Sequence, residues 1–324
     1  MKKAFIRLFR GADSSMRRLP LLYEQARKPG PVIWITSAIH GNEVTGIEVI
    51  HRLFNSFKTK KLKRGTVYAL PITNPLGFEM KWRENPYDEN DLNRAFPGDL
   101  NGSTTERIAA MIFKTITETK PSLVIDLHSD TLNSIPYIII DRALGIGLKA
   151  RRIVEKSWRL AERFGVTVVY DIEVPGYTKY LLDKSLTAAL VNRAKIPAFS
   201  VELGGPTVIH ESFVRIGVKG IKNMLAAFDM LEIEEEWCSE TKIRTEHRLE
   251  LLEELSSNKS GIVKFLVKPG DFVKEGTPLV EITNVLGDVE EVLYSKCSGY
   301  IIALADTSIA FPGSPLVTMA IEKK

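Results

Sequence analysis

Cysteine is scarce in this 324-residue chain, which contains Cys238 and Cys297 and no other. The two residues form no CxxC pair, and neither of them neighbours a histidine. A disulfide framework and a metal site built on thiolates are therefore not indicated. So low a cysteine content fits a protein of a reducing compartment.

Long apolar runs are also missing from the sequence. The N-terminal stretch begins like a signal peptide, but Arg7 and Arg10 interrupt it before it is long enough. No segment approaches the roughly 20 uninterrupted apolar residues that a membrane-spanning helix needs. We therefore expect a cytoplasmic protein without a membrane partner.

Neither sign of charge dominates, since 44 basic residues stand against 40 acidic ones and leave a net charge of +4. The charges are mixed along the chain and form no long basic tract, so nucleic acid is not an expected partner. The length allows one large domain, or a large and a small one. We expect a small-molecule substrate, and the sequence leaves a homo-oligomer open.

Residues 30 to about 230 alternate short, β-rich apolar runs with amphipathic helical stretches, which is the pattern of an α/β domain. The predicted strands are 32–39, 66–72, 122–128, 135–141, 166–171 and 197–203. Apolar residues recur at helical spacing from Glu43 to Phe57 and again from Leu148 to Phe164. We predict a large α/β domain over residues 1–235.

The character of the sequence changes after Trp237. Residues 259–324 contain short β-rich runs separated by glycine and proline turns, which is typical of a small all-β domain. In this part of the chain an amphipathic helix is expected only around Leu249 to Leu255. We predict a C-terminal β domain over residues 236–324.

Two histidines follow apolar runs that are predicted to be strands. His40 comes directly after residues 32–39, with Glu43 three positions later, and His128 closes residues 122–128. Reactive groups of an open α/β sheet collect at the carboxyl ends of its strands. Two histidines and one carboxylate suit a zinc ion with an open fourth position, so the sequence predicts a metallohydrolase. The alternative is that His40 only caps a strand and Glu43 only favours the start of a helix.

A fourth polar candidate, Glu202, stands near the end of the apolar run 197–203. A carboxylate in that position is costly unless it has a partner or a catalytic role. Hydrolysis of an amide needs a base for water and then an acid for the leaving amine, and Glu202 is the candidate for both roles. The alternative is an ordinary ion pair with a nearby arginine.

The segment between the two histidines contains three further candidates. Adjacent Asn93 and Arg94 could clamp a substrate carboxylate, because a guanidinium donates two parallel hydrogen bonds and the amide adds another. Arg83 could polarise the scissile carbonyl and stabilise the oxyanion that forms from it. The alternative, in so charged a segment, is that these arginines are solvated or ion-paired.

Taken together, these segments resemble the succinylglutamate desuccinylase/aspartoacylase family, relatives of the zinc carboxypeptidases. The matching segments, in the family's order, are His40-Gly41-Asn42-Glu43, Asn74-Pro75, Arg83, Asp91-Leu92-Asn93-Arg94, Asp126-Leu127-His128 and Val201-Glu202-Leu203-Gly204-Gly205. The resemblance implies a mixed sheet flanked by helices and one zinc ion per chain, bound by His40, Glu43 and His128. It also assigns the general acid/base to Glu202, the carbonyl-polarising arginine to Arg83 and the carboxylate-binding pair to Asn93 and Arg94.

The activity that this resemblance implies is zinc-dependent hydrolysis of the amide bond of an N-acyl amino acid, or of a similar small amide that bears a carboxylate. The alternative is a carboxypeptidase-like peptidase acting on short peptides, since both reactions need the same carboxylate clamp. Aspartoacylase-like members carry a further arginine shortly before the catalytic glutamate. Arg193 lies near that position at a different offset, and His210 is a second candidate for the pocket wall.

The C-terminal module resembles the barrel-sandwich hybrid of biotinyl and lipoyl carriers through residues 268–276. A carrier needs a modifiable lysine at an exposed hairpin, but the equivalent turn, residues 284–288, contains none. Lys296 is expected inside the next strand. We therefore interpret the module as a cover or an assembly element, with a noncatalytic carrier or scaffold as the alternative from another functional class.

Overall fold

The computed structural model describes residues 1–145, 147–232 and 243–323. In this part of the chain, fourteen strands form one large mixed sheet, four strands form a second sheet, and seven α-helices accompany them. The strands are β1 (Lys2–Arg10), β2 (Met16–Gln25), β3 (Val32–Ser37), β4 (Thr66–Leu70), β5 (Leu123–His128), β6 (Asn133–Ser134), β7 (Tyr137–Ile140), β8 (Thr167–Tyr170), β9 (Ala198–Glu202), β10 (Arg248–Leu251), β11 (Leu255–Ser256), β12 (Gly261–Phe265), β13 (Phe272–Val273), β14 (Pro278–Thr283), β15 (Val289–Tyr294), β16 (Gly299–Leu304), β17 (Ile309–Ala310) and β18 (Pro315–Lys323). The helices are α1 (Thr45–Ser56), α2 (Pro75–Met80), α3 (Thr104–Glu118), α4 (Leu148–Ala161), α5 (Val174–Lys179), α6 (Leu186–Ala189) and α7 (Glu211–Ala227).

The large sheet runs in the order β1-β2-β4-β3-β5-β9-β7-β8-β10-β18-β16-β13, and β6 and β11 pair beside it. Its middle strands are parallel, because β3 pairs in that sense with β4 and β5, and β5 with β9. The next strand, β7, is antiparallel to β9. The mixed α/β sheet implied by the resemblance is thus confirmed. Parallel strands that are covered on both faces are apolar throughout, as Ile33, Trp34 and Ile35 of β3 are.

The strands predicted between residues 30 and 230 are all present, as β3, β4, β5, β7, β8 and β9. The two predicted helices are α1 and α4. Helix α1 buries Val49, Ile50, Leu53 and Phe54, which share one face at helical spacing. None of the described helices combines the length and the apolar character that crossing a bilayer would require.

The first residues of the chain form an antiparallel hairpin, β1 and β2, that extends the sheet beyond β4. The sequence does not predict these strands, because arginines interrupt their apolar residues on both sides of the turn. Arg7 and Arg18 even lie opposite each other across the hairpin. Burial alternates along β1 and leaves much of it exposed, so its apolar content is low for a strand.

The prediction of a helix around Leu249 to Leu255 is wrong. The segment begins within β10, which pairs in parallel with β8 and antiparallel with β18. Leu249 and Leu251 are buried, and the Glu250 carboxylate between them lies 2.9 Å from the Arg142 guanidinium. The segment is a strand because β8 and β18 pair with it on both sides, although its leucines have helical spacing. Such tertiary pairing often outweighs local sequence preference.

The C-terminal residues form the expected antiparallel β region. Strands β12, β14, β15 and β17 make the small sheet, while β16 and β18 continue the large one. The turn at residues 284–288 joins β14 to β15, as expected. Lys296 is not inside a strand, which corrects the expectation, because β15 ends at Tyr294 and β16 begins at Gly299. The predicted boundary between residues 235 and 236 lies outside the described residues and stays a prediction.

Candidate metal centre and catalytic cavity

Three candidate metal ligands converge at the carboxyl ends of two neighbouring strands. His40 and Glu43 lie between β3 and α1, and His128 is the last residue of β5. Because β3 and β5 are parallel and paired, their ends meet at the same edge of the sheet. The three side chains are buried, and one ligand atom from each lies within 4.8 Å of the others.

The turn that carries two of these residues requires a glycine. A hydrogen bond from the Glu43 amide to the His40 carbonyl, at 3.0 Å, closes the turn and points both side chains the same way. A Cβ on Gly41 would lie 2.0 Å from the carbonyl carbon of Gly77. Any side chain at position 41 would therefore push the histidine turn away from α2.

The Glu43 carboxylate bridges the two imidazole rings. Its Oε1 lies 2.5 Å from Nδ1 of His40, and its Oε2 lies 3.0 Å from Nδ1 of His128 and accepts from the Ser129 amide at 3.1 Å. Both Nδ1 atoms thus face one point, together with the carboxylate. Two histidines and one carboxylate with a vacant fourth position fit a catalytic zinc ion. Among the described residues this is the one cluster with metal-ligand spacing.

A second carboxylate stands behind each histidine. Asp126 Oδ2 lies 2.8 Å from Nε2 of His128, and its Oδ1 accepts from the Thr36 hydroxyl at 2.7 Å. Asp91 Oδ1 lies 3.2 Å from Nε2 of His40. The Asp126 carboxylate, hydrogen-bonded to Nε2 of His128, orients that ring so that Nδ1 can face a metal, and Asp91 places a negative charge beside Nε2 of His40.

Sequence reasoning did not assign these orienting roles. For Asp126 a signal was present, since it stands two residues before His128 on one strand and side chains two apart point to the same face. For Asp91 there was none, because only the folded loop brings it to His40.

Opposite charges stabilise one another inside this buried cluster. Burial alone would raise the pKa of Glu43, but His40 and His128 hold it well below its usual range. Burial alone would lower the pKa of His128, but Asp126 and Glu43 raise it well above 6.5. A group of imidazoles and carboxylates that is so strongly coupled is typical of a functional site.

Glu202 ends β9 and is the register partner of His128 on β5. It is 9% exposed, and its Oε2 is buried without a hydrogen-bond partner. No basic side chain of the described residues lies within 4.0 Å of it, so the alternative of an ordinary ion pair is not what the structure contains. Burial raises the pKa of Glu202 to about 8.

The remaining three candidates also reach the centre. Arg83 donates to Asp91 Oδ2 at 3.0 Å, and its Nη1 lies 3.8 Å from Glu43 Oε1. Asn93 and Arg94 stand on a single 3-10 turn that the Asp91 side chain caps through the Asn93 amide at 2.7 Å. Asp91 therefore fixes His40, Arg83 and the Asn93 turn together.

All seven candidate residues line one cavity of about 210 Å³. They are His40, Glu43, Arg83, Asn93, Arg94, His128 and Glu202. Further polar residues on its wall are Ser129, Asp130, Asp141, Asp171, Ser185, Thr187 and Ser200. Arg193 and His210 do not line this cavity, and both are exposed. Arg193 instead borders two other surface depressions, and His210 precedes α7.

Comparison with known proteins decides the family. The model of the succinylglutamate desuccinylase/aspartoacylase catalytic domain matches residues 29–228, which contain every residue of the site. The chain belongs to the succinylglutamate desuccinylase/aspartoacylase family. It is accordingly a hydrolase of the deacylase class, as the sequence predicted.

Individual relatives agree with this membership. The chain is 26% identical over 264 residues to an N-alpha-acetyl-L-2,4-diaminobutyric acid deacetylase of Halomonas elongata, a match that covers 80% of this chain and 72% of that protein. It is 34% identical over 105 residues to a probable aspartoacylase of Prochlorococcus marinus, covering 31% of this chain and 34% of the relative.

Solved structures of the family share the whole architecture, including the C-terminal β region. The product-bound ectoine utilization protein EutE of Ruegeria pomeroyi superposes with a TM-score of 0.82 at 20% identity, covering 99% of this chain and 95% of that one. A succinylglutamate desuccinylase of Silicibacter gives a TM-score of 0.81 at 20% identity with the same coverage. At such identities the likeness shows the fold.

Proposed function

We propose that this family member is a zinc-dependent deacylase that cleaves the amide bond of an N-acyl amino acid, or of a similar small amide that bears a carboxylate. One observation carries the proposal. The buried triad of His40, Glu43 and His128 faces the same small cavity as Glu202, a buried carboxylate whose Oε2 has no partner.

The donor set supports zinc as the metal. Nδ1 of His40, Nδ1 of His128 and the Glu43 carboxylate would hold the ion, and Asp91 and Asp126 would hold the two rings in orientation. A zinc ion bound there would lower the pKa of a water molecule to about 7 and polarise the scissile carbonyl.

Glu202 is the acid and base of the proposed reaction. It takes a proton from the attacking water and returns that proton to the nitrogen of the departing amine. Burial raises the pKa of Glu202, whereas the positive charges of His128 and Arg83 lower it. The resulting pKa of about 8 lies close enough to neutral pH for the carboxyl to accept and return a proton. Glu202 must reach both the water and the leaving nitrogen to carry the proton between them. The pairing of β9 with β5 fixes the backbone of Glu202 in a position from which it can do so.

Arg83 stabilises the negative charge that develops on the carbonyl oxygen. Its guanidinium lines the cavity and is held on one side by Asp91, which leaves Nη1 directed toward the Glu43 side of the site. A donor that is positioned before the reaction begins stabilises a transition state more than a mobile one.

Asn93 and Arg94 bind the substrate's carboxylate. The Asn93 oxygen accepts from the Leu186 amide at 2.9 Å, so its NH2 group is the free end. Arg94 donates through Nε to the Tyr180 carbonyl and through Nη1 to the Asn93 carbonyl. These bonds fix the guanidinium and leave Nη2 as a donor for the ligand, which makes orientation part of catalysis.

The alternative is a peptidase of short peptides that uses the same groups. The family model and the Halomonas relative, which deacetylates an N-acetylated amino acid, favour the deacylase. The cavity of about 210 Å³ also favours a small substrate, since pockets for drug-sized ligands measure roughly 300 to 1,000 Å³. A carrier role has no support from the hairpin at residues 284–288, which contains no lysine.

The proposal is tested by profiling the zinc-loaded protein against N-acetyl and N-succinyl amino acids and against dipeptides with the same C-terminal residues. Hydrolysis of an N-acyl amino acid at a kcat/KM well above that of its dipeptide counterpart is the expected result. Faster cleavage of the dipeptides would establish the peptidase, and no cleavage of either set would refute both.

A further inference from the structure

Two aspartates stand at equivalent positions of the cavity wall. Strands β7 and β8 are parallel and paired, and their last residues, Ile140 and Tyr170, lie side by side. Asp141 and Asp171 are the next residues of each chain segment, and the Asp171 amide donates to the Ile140 carbonyl at 3.0 Å. The register of the sheet therefore delivers two carboxylates to one place, where both line the cavity.

Asp141 has an acceptor atom that the protein does not use. The residue is 4% exposed, and its Oδ1 accepts from the Tyr177 hydroxyl at 2.8 Å and lies 3.5 Å from the Ser185 hydroxyl. Its Oδ2 is buried and has no hydrogen bond of normal geometry, and the nearby Thr187 hydroxyl is a neutral group that only partly offsets the effect of burial on the pKa of Asp141. A buried carboxylate oxygen without a donor is costly, and such an atom in a binding cavity indicates a missing ligand group.

No cation of the described residues contacts this pair directly, although Arg94 and Arg142 lie close enough to lower the pKa of Asp171. Among the described residues, neither Asp141 nor Asp171 has a basic side chain within 4.0 Å. Arg142, the nearest in sequence, lies 2.9 Å from the Glu250 carboxylate. Burial raises the pKa of Asp141 to about 6 and that of Asp171 to about 7, and their mutual repulsion adds to the shift of Asp171. A positively charged ligand group would relieve both effects.

The cavity also presents a positively charged side chain close to the two aspartates. Arg94, a member of the proposed carboxylate clamp, lines the cavity beside the two aspartates, and Arg94 and Asp171 influence each other's pKa. The cavity thus presents a guanidinium next to a pair of carboxylates. A molecule with a carboxylate and an ammonium group a few bonds apart would complement both.

We infer that the substrate's amino-acid part carries a protonated amino group on its side chain, and that Asp141 and Asp171 bind it, so that the enzyme acts on N-acyl diamino acids. The inference rests on the proposed deacylase function and names the substrate class of that same site. An ammonium group suits the pair better than a metal ion, because no third histidine, cysteine or carboxylate among the described residues joins them at ligand spacing.

The first experiment compares two substrates that differ only in this charge. The zinc-loaded full chain is given Nα-acetyl-L-2,4-diaminobutyrate and N-acetyl-L-norvaline, which has a methyl group in place of the ammonium. The expected kcat/KM for the diamino compound is roughly tenfold higher or more, since a charge-assisted hydrogen bond is worth about that factor. Hydrolysis of both at equal rates, or a preference for N-acetyl-L-aspartate, would overturn the inference and leave the deacylase function intact.

Variants then test whether Asp141 and Asp171 cause the preference for the diamino substrate. Asp141→Asn and Asp171→Asn are expected to reduce the ratio of the two kcat/KM values toward one, with circular dichroism as the check on folding. Asp229→Asn is the matched control, because Asp229 is exposed, lies outside the cavity and has a left-handed backbone that asparagine tolerates. A ratio that survives in both cavity variants would contradict the assignment to these residues.

A binding measurement separates the inference from the proposed function. Calorimetry on zinc-loaded Glu202→Gln with free L-2,4-diaminobutyrate and L-norvaline needs no turnover. Tighter binding of the diamino acid, lost when Asp171→Asn is added to this variant, would support Asp141 and Asp171 as the ammonium site even if the parent hydrolysed no N-acyl amino acid and the proposed function had failed. Equal affinities would overturn it, as would a second zinc ion per chain that disappears in Asp171→Asn.

Discussion

His128 and Glu202 are direct register partners on the adjacent parallel strands β5 and β9. In a parallel pair, register partners project from the same face of the sheet, so the proposed metal ligand and the proposed acid/base point into one cavity. Their separation is set by the backbone pairing of β5 and β9, two buried strands in the middle of the sheet order. The two central groups of the proposed mechanism are therefore positioned by the pairing of two central strands of the sheet.

Substitution of Glu202 tests its proposed role. Glu202→Gln keeps the shape of the side chain but cannot carry a proton between water and amine, so kcat should fall by roughly 10²- to 10⁴-fold. Zinc content, measured by elemental analysis, should stay at the parent's value. Glu118→Gln, an exposed position on α3, serves as the control and should retain activity. Near-normal turnover in Glu202→Gln would contradict the assignment.

The ligand set predicts a graded loss of metal affinity. His128→Ala removes a ligand and should abolish stoichiometric zinc binding, whereas Asp126→Asn only weakens the orientation of the ring and should reduce affinity by roughly 10- to 100-fold. Competition with a chromogenic chelator gives both values. His51→Ala, at an exposed position of α1, is the control. Parental affinity in His128→Ala would mean that the ligands are different residues.

The two arginines of the cavity should affect different kinetic constants. Arg83→Ala removes a group proposed to act on the transition state, so kcat should fall by about 10²-fold or more. Arg94→Ala removes a contact to a carboxylate that is present throughout the reaction, so KM should rise more than kcat falls. Steady-state kinetics separate the two. Arg193→Ala should match the parent, because Arg193 is outside the cavity. A larger effect of Arg83→Ala on KM and of Arg94→Ala on kcat would show that the two arginines have the opposite roles.

Stability of the zinc-free protein should depend on pH through Glu202. Burial raises the pKa of this carboxyl from 4.5 to about 8 in the folded chain, so the folded state holds a proton that the unfolded chain releases. The resulting contribution to stability is complete below about pH 4.5 and is lost as the pH rises through about 8, at up to about 1.4 kcal/mol per pH unit.

Denaturant unfolding of the chelator-treated protein from pH 5 to pH 8.5 measures this loss. Glu202→Gln cannot ionise, so its stability should decline less steeply over this range than that of the parent. Identical slopes for parent and variant would show that the carboxyl titrates at its ordinary pKa.

The sequence predicts the central part of the fold because local pattern and tertiary environment agree there. Buried parallel strands such as β3 and β5 are apolar throughout, and the polar residues that follow them, His40 and His128, therefore stand out. The chemical types of Glu43 and Glu202 then limit what these positions can do. His40, Glu43, His128 and Glu202 were accessible in this way, whereas Arg83, Asn93 and Arg94 were predicted from the chemistry of the charged segment between the histidines and from the family resemblance. The individual roles of all seven residues stay predictions.

Features that depend on long-range register were not accessible. The pairing of Asp141 with Asp171 follows from the register of β7 and β8, and the contact of Asp91 with His40 follows from a folded loop. The leucines around Leu249 have helical spacing, but neighbouring strands on both edges make this segment β10. The first hairpin has too few buried residues to be recognised. The cytoplasmic location and the oligomeric state stay predictions.

Titration of the zinc-free protein with zinc, with hydrolysis of an N-acyl amino acid followed in the same samples, tests the central claim most directly. Activity should rise linearly with added metal and reach its plateau at one zinc ion per chain, the stoichiometry expected for a single site of His40, Glu43 and His128. Full hydrolysis before any zinc is added, or a plateau at a different stoichiometry, would contradict the account.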